Sequence, residues 1–378
     1  MQVDSGDKAS VNANEKNVMH GIRSLTLVSS GIRRNDPDKE QSDELPRSSL
    51  YERTLKTVTL DETSLSKSPW WRRGIYKILP ASISMAIETY LVRKKFDVVI
   101  SWSDKNGLLF ASLLKLTHTK FPHVALMFWI SKPRKAAILK RVHSHISTMI
   151  LWTSTHRDFA INHLGIPPEK IRFITYYVDH KFFRPMPRET DRICSVGVEM
   201  RDYPTLIKAM RGLDIKCHIA AGMTRGFLQD TVKAIYREPE LPPNLTVGLV
   251  PMNELRNLYA RSRFVVTPLL PTDSDNGLTA ILEAMAMGKA VICSRTKGQV
   301  DVIIDGKTGI FVPQGDPVAL REAIKYLWEN PAVAEEMGRE GRKRIEEKFT
   351  WDQFVDNIKN IVIDTVENER RRANRTNA

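Results

Sequence analysis

Asp273 to Ser294 reads DSDNGLTAILEAMAMGKAVICS. A polar loop meets Gly277, a run of small and aliphatic residues follows as far as Gly288, and the segment AVICS comes at once. Small and aliphatic residues bordered by glycines predict a short helix, and the segment behind it predicts a strand. A helix feeding straight into a strand is the unit from which helix-wrapped parallel sheets are built. One acid, Glu283, stands in that helix among Ala280 to Met287, which are otherwise apolar. So apolar a helix is expected to be buried, where lone acids are rare, so Glu283 points to a site rather than to a solvated charge.

The same alternation extends outward through most of the chain. SLTLVSS (24–30), FDVVISWS (96–103), HVALMFWIS (123–131), TMILWTS (148–154) and IRFITYY (171–177) predict strands with helices between them. Their nearly unbroken Val, Ile and Leu suit strands covered on both faces. VDHKFFRPMPRETD (178–191) interrupts the rhythm with prolines and clustered charge and marks a domain boundary. A second set then runs through RICSVGVE, IKCHIAAG, NLTVGLV, RFVVTPL and KAVICS. The expected division is a disordered leader over 1–20, a first Rossmann-like domain over 21–184, a second over 185–350, a closing helix over 351–368 and a basic disordered tail over 369–378.

At 378 residues the chain is long enough for two cores. No stretch reaches the roughly 18 apolar residues that a membrane-spanning helix needs. Cys194, Cys217 and Cys293 are scattered among predicted strands, which suits buried thiols in a reducing, cytoplasmic setting and neither a disulfide framework nor a zinc site. Lys and Arg exceed Asp and Glu by 13, which implies an anionic partner. No zinc-finger spacing, RNA-binding aromatic motif or continuous basic helix speaks for nucleic acid.

NGLTAILEAMAMGKAVICS, GQVDVIIDGKTGIFVPQGDPVALREAI, FTWDQFV and TSTHRDFAINHLGIPPEKIRFITYYVDHKFFRP fall in an order that resembles the GT-B glycosyltransferases. The resemblance is to the retaining enzymes of glycosyltransferase family 4 and covers roughly residues 96–362. It implies an α/β fold of GT-B type. Two Rossmann-like domains would turn parallel sheets toward a central cleft, and a C-terminal helix would cross back to the first domain. It also implies a sugar transferase without a cofactor, using a nucleotide-diphosphate sugar, UDP-linked, as co-substrate.

A helix N-terminus holds an anion through unpaired amides and a partial positive charge, and Asn276, Gly277, Leu278 and Thr279 are placed to offer those groups to a diphosphate. The resemblance implies that Glu283 takes the ribose hydroxyls and that Asp275, eight positions earlier, touches the donor sugar. Asp275 replaces the glutamate of the family's E-x7-E pattern and has a shorter reach. Arg201, in SVGVEMRDYPTL, matches the family's phosphate-binding arginine, and no lysine matches its second cation. Gly222 and Val250 would flank the base, and Gly298 would border the donor. Asp301 stands where the family commonly has Glu. Asp104 and His156 are the polar candidates at the carboxyl ends of first-domain strands, where open α/β sheets bind ligands. Asp273 and Asp275 also have the D-x-D spacing of a metal motif, but the helix N-terminus behind them already supplies charge for phosphate, so no metal is expected.

Retention in this family resembles a front-face displacement in which the departing phosphate takes the acceptor proton. It asks for charge stabilisation more than for a protein nucleophile. The acceptor is expected on the first domain, where SPWWRRGIYKILPASISMAIETYLVRKK (68–95) and SKPRKAAILKRVHSH (131–145) make a basic, aromatic-edged face suited to an anionic membrane surface. The shortened acid and the missing lysine leave a second reading, a catalytically silent binder of sugar nucleotides or glycans.

Overall fold

The computed structural model describes residues 21–29, 36–221 and 230–376; the expected leader and Gly222 lie outside the described residues. Two parallel sheets of six strands organise the chain. The first is ordered β2-β1-β3-β4-β5-β6, from β1 (Ser24–Leu27), β2 (Val58–Leu60), β3 (Val98–Trp102), β4 (His123–Leu126), β5 (Thr148–Leu151) and β6 (Ile171–Phe173). The second is ordered β12-β11-β10-β7-β8-β9, from β7 (Arg192–Val196), β8 (Cys217–Ala220), β9 (Leu245–Gly248), β10 (Ser262–Thr267), β11 (Ala290–Ser294) and β12 (Gly309–Val312). Every residue of β3, β4, β5 and β11 is buried, which explains why these segments read as apolar runs without alternation.

Helices cover both sheets. The first domain holds α1 (Pro37–Gln41), α2 (Ser49–Leu55), α3 (Trp70–Tyr76), α4 (Ala81–Val92), α5 (Asp104–Leu116), α6 (Pro133–Val142) and α7 (Ser154–Asn162). The second holds α8 (Tyr203–Met210), α9 (Asp230–Tyr236), α10 (Met252–Arg261), α11 (Leu278–Ala286), α12 (Pro317–Glu329) and α13 (Pro331–Lys348), and α14 (Trp351–Thr376) returns to the first. Helix α11 is the one expected from the opening stretch. It starts after Gly277 at φ 93° and ends against Gly288 at φ 70°, both in the left-handed region that glycine enters without strain.

The structure corrects the chain's end. Helix α14 continues through the segment expected as a disordered tail, as far as Thr376. Arg371 bonds Glu367 and Arg372 bonds Glu369, pairs at helical spacing that support a helix with no apolar face left to bury.

The chain passes between the domains twice, and the two passages are stitched together. The Val178 amide donates to the Phe349 carbonyl at 2.9 Å, and the Trp351 amide donates to the Val178 carbonyl at 3.0 Å. One apolar cluster runs across this junction, joining Ile100 and Trp102 of the first domain to Ile281 and Met285 of α11 and to Trp351 and Phe354 of α14. Arg47, just ahead of α2, ties three segments at once. Its Nη2 lies 2.7 Å from Asp179 Oδ1 and 2.8 Å from Asp352 Oδ2, and its carbonyl accepts the Trp351 indole N–H.

Candidate active site

Both sheets reverse strand order near their centres, between β1 and β3 in the first and between β7 and β10 in the second. Loops leaving such neighbours part toward opposite faces and open a crevice at the strands' carboxyl ends. In the second sheet these loops carry Arg201, after β7, and Asp273, Asp275 and Asn276, after β10. In the first they begin at Val28 and at Ser103. The crevices face each other across a cavity of about 230 Å³, whose walls include Val28, Tyr51 and Trp102 on one side and Thr279 and Glu283 on the other.

Thr279 and Glu283 are four residues apart, so one face of α11 turns both toward the cavity. Glu283 is buried, and its Oε2 accepts from the Tyr259 hydroxyl at 2.8 Å. Tyr259 is itself enclosed; burial first, and then the neighbouring carboxylate, push its hydroxyl well above the ordinary range, so it remains a donor to Glu283. The single acid in an apolar helix is therefore a fixed group at the cavity wall.

The loop ahead of α11 is held from the first domain. The Trp152 indole donates to Asp275 Oδ2 at 2.8 Å, and the Trp129 indole donates to Asp273 Oδ1 at 2.9 Å. Asp301 accepts from the Ser154 amide at 2.8 Å and from its hydroxyl at 2.9 Å. These contacts join loops more than a hundred residues apart in sequence, and no local pattern announces them. The two tryptophans do stand just past the carboxyl ends of β4 and β5, the positions that singled out Asp104 and His156.

The remaining sequence-derived candidates divide. Asp104 is buried and engaged: it accepts from the amides of Phe128 and Trp129 and pairs with Lys135. It therefore shapes the loop that presents Trp129. Arg201 is buried with its Nε and Nη2 on the Val196 carbonyl and its Nη1 on the Glu199 carbonyl. The loop is bent by left-handed Gly197 and Met200, and Arg201 satisfies the carbonyls this exposes. Its Nη1 would stand 3.3 Å from a Cβ placed on Gly277, so the cation lies directly behind the start of α11.

Among the amides expected to greet a diphosphate, that of Leu278 is corrected, since it donates to the Asp275 carbonyl at 3.0 Å. The Asn276 carbonyl accepts from Gln299 Nε2 and its side chain from Thr272. Gly298 has a packing reason, because a Cβ there would lie 1.9 Å from the Ser274 carbonyl oxygen. Val250 follows β9 and packs half-buried against the shared core.

His156 lies within the first turn of α7, buried, with its Nε2 lacking a partner among the described residues. Burial holds it below its ordinary 6.5, against the opposing pull of Asp275, Asp273 and Asp104. Burial likewise raises Asp275 above its ordinary 3.8. The pair thus leans toward fewer charges. Burial also lowers His143, His145, His180 and His218, and brings His123 down to about 3. The unfolded chain takes up protons near 6.5 while the folded chain does not, so stability is expected to fall as pH drops through that value. Thermal melts between about pH 7.5 and about pH 5.5 measure this, and His156→Gln should flatten the slope by at most one proton. A pH-independent melting temperature would contradict it.

A glycine-started helix at a sheet's switch point, with an acid one turn inside and an arginine behind, is a setting for a phosphorylated nucleotide. Residues 185–344 match the family described as glycosyl transferases group 1. Those residues, in the second half of the chain, are similar to that family. Curated relatives include a D-rhamnosyltransferase, WbpZ, of Pseudomonas aeruginosa, 42% identical over 72 residues, which are 19% of each chain. A D-inositol 3-phosphate glycosyltransferase of Catenulispora acidiphila is 26% identical over 246 residues, 58% of each chain. The matches thus span less than two thirds of these relatives' lengths. Among solved structures, sucrose-phosphate synthase from Thermosynechococcus elongatus superposes with a TM-score of 0.70 at 16% identity, covering 90% of this chain and 98% of the other. The Anabaena protein HepE, in complex with UDP and glucose, gives 0.67 at 14% identity, covering 92% and 99%. At those identities the likeness is one of fold, and it is the GT-B arrangement of two facing parallel sheets with a returning C-terminal helix.

Proposed function

We propose that this protein is a group 1 glycosyltransferase that moves a sugar from a UDP-linked donor to an acceptor held by the first domain, with retention at the anomeric carbon. The observation that carries the reading is the cavity at the meeting of the two switch points, with Thr279 and Glu283 of α11 on its wall. Glu283 would accept the ribose hydroxyls. The diphosphate would lie at the start of α11, where the helix dipole and the Arg201 guanidinium behind Gly277 oppose the charge that gathers on the leaving group. In the transfer, the bond between the anomeric carbon and the diphosphate oxygen breaks. The acceptor oxygen bonds that carbon on the same face, and its proton passes to the departing phosphate. Asp275 would meet the sugar once it parts from Trp152. The relative solved with UDP and glucose supports the choice of base.

A second reading, a silent binder of sugar nucleotides, is favoured by one observation: Asp275 and Asp273 are each occupied by an indole of the first domain. A thermal-shift panel of UDP- and GDP-sugars, paired with an assay for released nucleotide, separates the two. The transferase reading expects a stabilisation of about 2.7 kcal/mol at a hundredfold excess over Kd, together with release of free UDP. A saturable shift without turnover would leave only the binder, and no shift with any nucleotide sugar would defeat both.

A further inference from the structure

The first domain carries a short helix whose polarity is reversed. In α3 the groups that face the protein are polar: Arg72 Nη1 bonds Glu88 Oε1 at 3.1 Å, and the Tyr76 hydroxyl bonds Glu88 Oε2 at 2.7 Å, both on α4. The groups that face water are apolar. Trp70 is 78% exposed, Trp71 49% and Ile75 49%, and Ile78 just beyond the helix is 84% exposed. A surface helix of a soluble domain normally shows the opposite arrangement, so this face is built to be covered.

The surroundings say by what. Residues 63–87 contain no Asp or Glu, and neither do residues 105–157. Arg73 and Lys77 are exposed beside the tryptophans and make no ion pair among the described residues. Two residues past Ile78, Pro80 opens a groove of about 430 Å³ between α4, α5 and α6, with Ile83, Leu108 and Ile138 among its apolar lining and Lys105 and Lys135 among its cations. Helix α6 adds Arg134, Lys140 and Arg141, all exposed.

We propose that this face, formed by α3, the groove and α6, docks on an anionic lipid bilayer. Aromatic and aliphatic side chains would enter the headgroup boundary while the cations meet lipid phosphates. A nucleic acid satisfies only half of these features. Its phosphates would suit the cations, but the aliphatic Ile75, Ile78 and the apolar groove offer nothing to a phosphodiester chain. The placement also connects to the site, because Lys135 on the groove pairs with Asp104, which holds the loop presenting Trp129 to Asp273. The proposal does not depend on the transferase reading.

Flotation of the full chain with vesicles tests it, using phosphatidylcholine alone or with half phosphatidylglycerol. Binding is expected only to the anionic vesicles and should weaken at least about tenfold between roughly 100 mM and 500 mM salt. Trp70→Ser/Trp71→Ser/Ile78→Ser and Arg73→Glu/Lys77→Glu should each lose about tenfold or more in partitioning with melting temperature kept. The charge variant decides the matter if the apolar one unfolds. No flotation with anionic vesicles at low salt overturns the proposal. Equal flotation of either folded variant does so too, as does complete displacement of the vesicles by single-stranded RNA.

Discussion

Glu283→Gln is expected to weaken UDP-sugar binding by roughly ten- to a hundredfold while leaving the unliganded fold nearly as stable. The first expectation follows from charge. A hydrogen bond to a carboxylate contributes about 1.5–3 kcal/mol, and the glutamine oxygen accepts as a neutral group. The second follows from shape. Glutamine keeps an oxygen where Glu283 Oε2 accepts from Tyr259, so the buried hydroxyl retains its partner. Glu283→Ala lacks that oxygen, and leaving the enclosed Tyr259 hydroxyl unsatisfied would cost about 1–3 kcal/mol on its own. Melting curves with and without UDP-sugar read both quantities. A ligand-induced shift in Glu283→Gln equal to that of the native chain would remove Glu283 from the ribose.

Arg47→Ala is expected to lower stability by about 3–5 kcal/mol, because it strips Asp179 of its cation where the acid's side chain is only 4% exposed. Asp179 would keep the backbone amides of Arg47, Lys181 and Phe182, which explains why the loss stops short of a fully orphaned charge. Adding Asp179→Ala should restore part of the loss, so the double variant falls by less than the sum of the singles. Strict additivity in chemical denaturation would show that the pair does not couple. The pH profile carries a second signature. Arg47 holds Asp352 down at about 2, below its ordinary 3.8. A depressed carboxyl contributes stability in full above its unfolded value and loses it as pH falls through the folded one. That acid limb, between roughly pH 4 and pH 2, should shrink in Arg47→Ala.

Sequence reading reached the parts of this molecule that local pattern encodes. The buried strands, the glycine borders of α11 and the isolation of Glu283 all follow from composition within a few turns of chain, and the structure places Glu283 on the cavity wall. Residues 31–67 have no such pattern, so β2, α1, α2 and the Arg47 junction were not foreseen. Arg201 illustrates a different limit. Its residue type suited phosphate, but two left-handed residues in the β7–α8 loop expose carbonyls that claim most of the guanidinium. Trp129 and Trp152 show a third, because their partners lie in the other domain and only tertiary structure brings them together.

The paired passages at Val178 and Phe349–Trp351 constrain how the halves can move. Because both connections run side by side and are bonded to each other, they act as the pin of a door. Sliding or full separation would tear that pin, whereas swinging about it leaves it intact. Trp152, Asp275 and Asp301 share a small cavity with Phe349, so their contacts across the domains lie close beside that pin. A swing about it therefore displaces those acids less than residues farther from the pin.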